Sequence, residues 1–297
     1  MKDTNIVNPT DDKMLLASFE QKLQLIRDRV TGVAQQYYCG CYLVGRPGTS
    51  KTHSVVAQLE ELGVPFILRN ARMTPMGLFE FLHDHPEHVI VLDDIASLFR
   101  QQAALQILMA ALDGDPGEPR TVTYKSKDKS MSFQFTGGVI AISNLPLNND
   151  PLANALASRV VQVEHEPTDE EIAAFMRQLA SAGHKELSPE ICHEVVEFVI
   201  QETRNHDRRL DLRHMRKAFE DRRQFEHGHS QTSWQDLVRT SLSKSLSQPA
   251  GSKREQKEQI VRDVVQRFPG DWQRQVEESG VSKSTLFRIR NQLGLSS

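Results

Sequence analysis

The sequence predicts an α/β protein with a largely parallel sheet, a helical lid behind it and a small all-α helix-turn-helix domain at the C-terminus. Three observations carry that expectation. Short apolar runs alternate with segments of helical period between residues 37 and 166, the pattern of buried strands joined by crossover helices. One of these runs, Cys41 to Val44, leads into Gly45-Arg46-Pro47-Gly48-Thr49-Ser50-Lys51-Thr52 and then into a segment with apolar Val55, Val56, Leu59 and Leu62. From residue 168 to 225 no obvious strand occurs, while helix-start signals recur.

The glycine-rich loop points to chemistry. Backbone N–H groups of such a loop wrap phosphates, the Lys51 ammonium reaches the outer ones, and the Thr52 hydroxyl can hold Mg²⁺. ATP is the implied ligand, with Gly45, Gly48, Thr49, Ser50, Lys51 and Thr52 as its contacts. Ser50 stands where a glycine normally precedes the lysine, and its Cβ restricts a backbone that must approach phosphate closely. A tight turn before a helix would also use Arg46-Pro47-Gly48. The second signal is His88-Val89-Ile90-Val91-Leu92-Asp93-Asp94, a buried strand ending in two carboxylates about forty residues further on. Asp93 would hold Mg²⁺. Asp94 would orient or deprotonate the attacking water, a task more often given to the longer glutamate.

Elements follow in order. Leu15, Phe19, Leu23, Ile26, Val30 and Val33 recur at three- and four-residue steps, so residues 1–36 form an N-terminal helical segment packed on the core. Within the α/β domain, 37–166, strands are expected at Val64 to Leu68 and Val89 to Leu92, and helices at Thr74 to His83 and Leu98 to Leu112, the last stopped by Gly114 and Pro116. Thr121 to Tyr124 and Met131 to Phe135 flank a lysine-rich run, which predicts a hairpin. Gly138 to Ser143 is a further buried strand ending at Asn144, and Ser158-Arg159 precedes a last strand, Val160 to Val163.

In the lid, 167–226, Thr168-Asp169-Glu170-Glu171 is a capping box, Ser188-Pro189-Glu190 opens a second helix, and Asp211 caps a third that carries Arg213 and Arg216. Glycine, serine and glutamine accumulate across 227–256, read as a partly flexible linker with a short helix near Trp234 to Leu242. Residues 257–297 form the terminal domain. Ile260, Val264, Val265 and Phe268 make one helical face, Trp272 to Glu278 a second helix, Gly280 a turn, and Ser282 caps a third with Leu286, Ile289 and Leu293 on one side.

Composition bounds the possibilities. With 297 residues, 38% hydrophobic and 25% charged, the chain has room for about two domains with sizeable cores. No window approaches the ~18 to 20 apolar residues of a membrane span, and the polar start is unlike a secretory signal, so a cytoplasmic protein is expected. Cys39, Cys41 and Cys192 give no disulfide framework and read as structural, and His227-Gly228-His229 reads as linker rather than metal site. The net charge of −3 excludes a uniformly basic coat, but residues 253 to 297 hold nine Lys+Arg against six Asp+Glu. Nucleic-acid contact would therefore be local.

The ordered motifs across residues 40 to 225 resemble the AAA+ ATPases. In that resemblance Asn144 is similar to sensor 1, Arg159 to the arginine finger and Arg213 to sensor 2, which makes Asp94, Asn144 and Arg159 catalytic and Arg213 a nucleotide contact. It also implies a ring or helical, hexamer-like oligomer, since such a finger serves the neighbouring subunit's nucleotide. The hairpin before Asn144 is similar to the pre-sensor 1 hairpin of AAA+ groups that include MCM and superfamily 3 helicases and MoxR-like chaperones. By that likeness Lys125, Lys127 and Lys129 would line a pore and grip DNA backbone. A solvated, charged hairpin that discourages edge pairing has the same composition.

The tail from Gly280 to Arg290 resembles the Fis-like helix-turn-helix of bacterial regulators. That likeness puts Lys283, Ser284, Thr285 and Arg288 on DNA and Arg290 nearer its backbone. A trihelical protein-interaction module is the other reading. The function these readings imply is an ATP-driven protein acting on DNA in replication, recombination or transposition, as helicase or translocase in one form. The alternatives are an AAA+ transcription activator, against which the missing Gly-Ala-Phe-Thr-Gly-Ala loop counts, and a MoxR-like chaperone acting on proteins.

Overall fold

A computed structural model describes residues 9–95, 98, 101–125, 130–147, 151–246, 260–262, 264–265, 267–279 and 281–292. Helix α1 (Pro9–Ala34) precedes strand β1 (Gly40–Val44), and helix α2 (Lys51–Leu62) follows the glycine-rich loop. Next come β2 (Phe66–Asn70), α3 (Pro75–Asp84), β3 (Val89–Asp93), α4 (Gln102–Leu112), the hairpin β4 (Arg120–Lys125) and β5 (Ser130–Phe135), β6 (Val139–Ser143), α5 (Pro151–Ala157) and β7 (Val161–Glu164).

Five strands make one parallel sheet in the order β2-β3-β6-β1-β7, and β4 with β5 form a separate antiparallel pair. β1 and β6 are buried along their whole length, which is why they read as unbroken apolar runs. Alternate residues serve opposite faces. Cys41, Leu43, Val91 and Ile140 pack with α1, α2 and the lid, whereas Tyr42, Ile90, Leu92 and Ala141 pack with α3, α4 and the hairpin. The expected α/β class is thus present, with parallel strands whose carboxyl ends open on one crevice.

Several boundaries differ from expectation by a residue or more. β2 starts at Phe66, not Val64, because Pro65 offers no N–H and the register with β3 runs from Phe66↔Val89 to Asn70↔Asp93. α4 starts at Gln102, not Leu98: the Gln101 N–H closes a turn on the Leu98 carbonyl (2.9 Å), and Leu98 is buried ahead of the helix. β7 runs one residue later than expected, paired with β1 from Cys41↔Val161 to Val44↔Glu164.

The lid comprises α6 (Asp169–Ser181), α7 (Pro189–Asn205) and α8 (Leu212–Glu226), each capped as expected: by the Thr168–Glu171 box, by Ser188 and by Asp211. A further helix, α9 (Trp234–Leu246), starts where the short helix was expected and runs four residues longer. Trp234, Val238 and Leu242 are buried, the Phe198 ring lies 5.1 Å from the Trp234 ring, and the Arg222 guanidinium lies 4.9 Å over it. This apolar face closes the lid's core.

α1 is tied to the lid as well as to the sheet. The Glu171 carboxylate accepts from Ser18 Oγ and Lys22 Nζ, both at 2.6 Å, and from the Thr168 N–H at 2.7 Å. Burial alone would raise the Glu171 pKa, but these three donors outweigh it and hold the carboxyl below its usual range. All three cysteines are buried and free, and burial pushes the Cys41 thiol up to about 12. Among the described residues no helix is long and apolar enough to cross a membrane.

At the C-terminus α10 (Trp272–Ser279) and α11 (Lys283–Gln292) enclose a small core of Val261, Leu286 and Ile289. Val261 and Val264 point inward while Ile260 is exposed, so the first helical face is rotated by one residue from the expected one. Ser282 caps α11, its Oγ accepting from the Thr285 N–H at 3.4 Å. Gly280 and Leu293 lie outside the described residues.

Candidate active site

The glycine-rich loop bridges the carboxyl end of β1 and the amino end of α2, so the helix dipole and the first N–H groups of α2 point at one spot. Two glycines are required by their surroundings. A Cβ on Gly45 would run into the His165 carbonyl, and Gly48 has φ +72° with the Asp211 carboxylate where its Cβ would be.

Ser50 sits at φ 73°, ψ 9°, in the left-handed region, and its side chain makes no capping hydrogen bond. The departure from glycine read in the sequence is therefore a point of backbone strain. Replacing it by glycine removes ~1 to 2 kcal/mol of steric cost and adds unfolded-chain entropy of ~0.5 to 1 kcal/mol. Ser50→Gly is accordingly expected to stabilise the protein slightly, by about 0.5 kcal/mol in urea unfolding. A loss of stability would mean that the serine hydroxyl does something the strain argument omits.

Lys51 is only 5% exposed. Its ammonium donates to the Gly45 carbonyl (2.7 Å), the Arg46 carbonyl (2.6 Å) and Asn144 Oδ1 (3.2 Å). Burial pulls its pKa down to about 8, aided by Arg213 and opposed by Glu166, Asp93 and Asp211. Thr52 Oγ1 donates to Asp93 Oδ2 at 3.0 Å, so the two candidate metal-holding groups adjoin. Asp93 Oδ1 accepts from the Asp94 N–H at 2.9 Å, which fixes the carboxylate plane.

These groups line a cleft of about 890 Å³ that includes Gly48, Thr49, Ser50, Lys51, Thr52, Asp93, Asn144 and Arg213. Its far wall is apolar, with Leu23 of α1, Phe175 of α6, and Met215 and Phe219 of α8, the mixture of apolar surface and few polar groups that ligand clefts use. Lys51 spends its protons on the loop's own carbonyls and Asn144, so a phosphate in the loop would take over donors now satisfied within the protein, and Mg²⁺ fits the Thr52–Asp93 pair by donor chemistry.

Two expected catalytic residues lie off this cleft. Asp94, at φ 57°, turns its carboxylate to Arg72 (Nη2 to Oδ2 3.1 Å). Arg159 donates from Nε to Asp113 Oδ1 (3.1 Å) and from Nη1 to the Ala155 carbonyl (2.8 Å), so it does not reach its own chain's phosphate loop.

Of the nucleic-acid candidates, Lys125, Lys283, Ser284 and Arg288 are exposed, and Lys127 and Lys129 lie outside the described residues. Thr285 is partly buried, its hydroxyl 2.9 Å from Ser282 Oγ. Arg290 is a correction. It is 8% exposed and donates to Gln275 Oε1 at 3.1 Å, which uses it to join α11 to α10 and not to contact a ligand.

Other participants were not legible. His165 is 1% exposed, and its Nε2 donates to the Thr49 carbonyl at 2.8 Å; burial lowers its pKa and keeps it neutral against the loop. Only its position after the last strand could have signalled this. Arg46 fastens the loop to the lid through Pro167, Asp169 and Leu210.

Compared with known proteins, the sequence matches no family profile and no curated protein. Among solved structures, a mutant RuvB from Thermotoga maritima is similar, with 15% identity, a TM-score of 0.49, and coverage of 95% of this chain and 88% of that chain. A DNA replication initiation factor is similar with 14% identity, a TM-score of 0.42, and coverage of 98% and 82%. At these scores neither likeness assigns an activity, and the chemistry open to the cleft is that of its own residues.

Proposed function

We propose that the chain is an ATP-hydrolysing protein of the AAA+ kind that acts on DNA as an oligomer. The observation that carries the reading is the convergence of Lys51, Thr52, Asp93 and Asn144, from three separate strand ends, on one cleft that the lid closes. Lys51 and the amino end of α2 compensate phosphate charge, and Thr52 with Asp93 holds Mg²⁺. When bound, Mg²⁺ neutralises charge developing on the phosphate oxygens. Asn144 fixes the outer phosphate or the attacking water, Asp94 takes the proton of that water, and Arg213 brings the lid onto the nucleotide. Arg159, away from its own loop, serves a neighbouring subunit once it leaves Asp113. The Arg159–Asp113 pair is substantially exposed on the aspartate side, and such pairs are worth only ~0 to 1 kcal/mol.

The DNA part rests on the tail and the hairpin. Lys283, Ser284 and Arg288 present a polar face at the exposed start of α11, and Lys125 leads the hairpin tip. The full-length chain should bind duplex DNA with an affinity that falls steeply as salt rises. Arg288→Ala should cost about 1 to 3 kcal/mol if it meets a base edge, and ATP turnover should rise when DNA is added. Trp272 and Phe287, 40% and 42% exposed, favour a second reading in which the tail is a protein-interaction module. That reading gains if fluorescence anisotropy detects no DNA binding at low salt.

A further inference from the structure

Arg46 is the second residue of the phosphate loop, and its two ends face different bodies. Its carbonyl oxygen lies on the cleft side, accepting from Lys51 Nζ (2.6 Å) and Thr49 Oγ1 (3.0 Å). Its guanidinium lies on the lid side, largely buried, donating from Nη2 to the Pro167 carbonyl (3.1 Å) and Asp169 Oδ1 (2.7 Å), and from Nη1 to the Leu210 carbonyl (3.2 Å). The Arg46 N–H donates to Glu166 Oε1 at 3.0 Å. One side chain thus joins the entry to α6 and the entry to α8.

Neighbouring bonds run along the same seam. Asp169 Oδ1 also accepts the Leu210 N–H at 3.0 Å, Asp169 Oδ2 meets Arg209 Nε at 3.0 Å, and the Leu212 N–H donates to the Gly48 carbonyl at 3.0 Å. The turn before α8 is therefore held by the loop through residues 46 and 48. Arg213, which lines the cleft together with Arg216, sits directly after that turn and takes its backbone fixation from Asp211 Oδ1 (2.7 Å).

We propose that Arg46 is a positioning residue that couples the phosphate loop to the lid, so that nucleotide in the loop alters how the turn at 208–211 is held. The proposal rests on the loop being a nucleotide site. When Lys51 turns its ammonium to a phosphate, the Arg46 carbonyl keeps only the Thr49 hydroxyl as donor and its peptide is held less tightly. The guanidinium carries the change to Pro167, Asp169 and Leu210, and Arg213 moves with the turn. The fork geometry is essential, because a lysine at this position keeps the charge for Asp169 but cannot serve two carbonyls in different segments at once.

The test uses the full-length chain with Arg46→Ala and Arg46→Lys, read by binding of ATP with Mg²⁺, by amide hydrogen exchange with and without ATP, and by steady-state hydrolysis. In the wild type, exchange at the Leu210 and Leu212 amides should change on adding ATP. In Arg46→Ala, protection of those two amides should fall about tenfold and stop responding to ATP. ATP itself should still bind within about tenfold, since Lys51 and Thr52 remain, and kcat should fall more than KM changes. Arg46→Lys should be intermediate, and it carries the test alone if the alanine variant does not fold.

A variant that binds ATP and keeps wild-type, ATP-responsive exchange at Leu210 and Leu212 overturns the coupling. Uniform loss of protection across α6 to α8 overturns it too, since that is general unfolding of the lid. Failure of the wild type to bind ATP is a separate outcome that removes the nucleotide site and the coupling with it.

Discussion

Lys51→Ala should abolish measurable ATP binding, lowering affinity by at least ~100-fold, which corresponds to ~3 kcal/mol for a desolvated, charge-assisted contact. The side chain is 5% exposed and held by two loop carbonyl oxygens and Asn144, whereas the other cations that line the cleft, Arg27, Arg213 and Arg216, stand on α1 and the lid. The same contact gives a pH dependence. Burial holds the Lys51 pKa at about 8, and phosphate needs the charged form, so ATP affinity should decline as pH rises past about 8. Folding responds with the opposite sign. The folded pKa lies below the unfolded 10.5, so the penalty for burying the charge is fully present below about pH 8 and is relieved between there and 10.5. Equilibrium binding of a fluorescent ATP analogue across that range, with unfolding followed in parallel, separates the two slopes.

Asp94→Asn should leave ATP binding intact and reduce hydrolysis by ~10²- to 10⁴-fold, the span that a positioned general base contributes. The Asp94 carboxylate lies against Arg72, but that pair is exposed, 76% on the arginine side and 38% on the aspartate side, and is worth at most ~1 kcal/mol. Breaking it to reach a water is therefore a minor barrier. Mixing Asp94→Asn with Arg159→Ala subunits should restore part of the turnover, through interfaces that combine an intact base with an intact finger. Wild-type turnover in Asp94→Asn, measured by phosphate release, would remove this carboxylate from the mechanism.

The legible parts of the site are those whose chemistry is local in sequence. Gly45 to Thr52 reads as a strand–loop–helix unit because apolar period, glycine placement and lysine fall within one short segment, and Asp93 reads as a strand-end carboxylate because four apolar residues precede it. Capping residues Thr168, Ser188 and Asp211 were legible for the same reason, since a cap bonds its own next turn. What depends on distant pairing was hidden. Arg46 meets Leu210 across 164 positions, and His165 meets Thr49 across 116. Nothing in the composition of either neighbourhood specifies those partners. Arg290 looked like a surface cation because basic residues mostly are; a buried acceptor on α10, Gln275, reversed its direction. α9 was legible as a short helix near Trp234 to Leu242, but its Gly- and Ser-rich flanks hid that Trp234, Val238 and Leu242 pack into the lid's core.

The claim that the loop–lid cleft holds ATP is tested most directly by calorimetric titration of ATP with Mg²⁺ into the full-length wild-type chain, beside Lys51→Ala. The expected result is saturable binding with one ATP per chain, lost in the variant while its fold is retained. Absence of binding by a folded wild-type chain, or equal binding by Lys51→Ala, would contradict it.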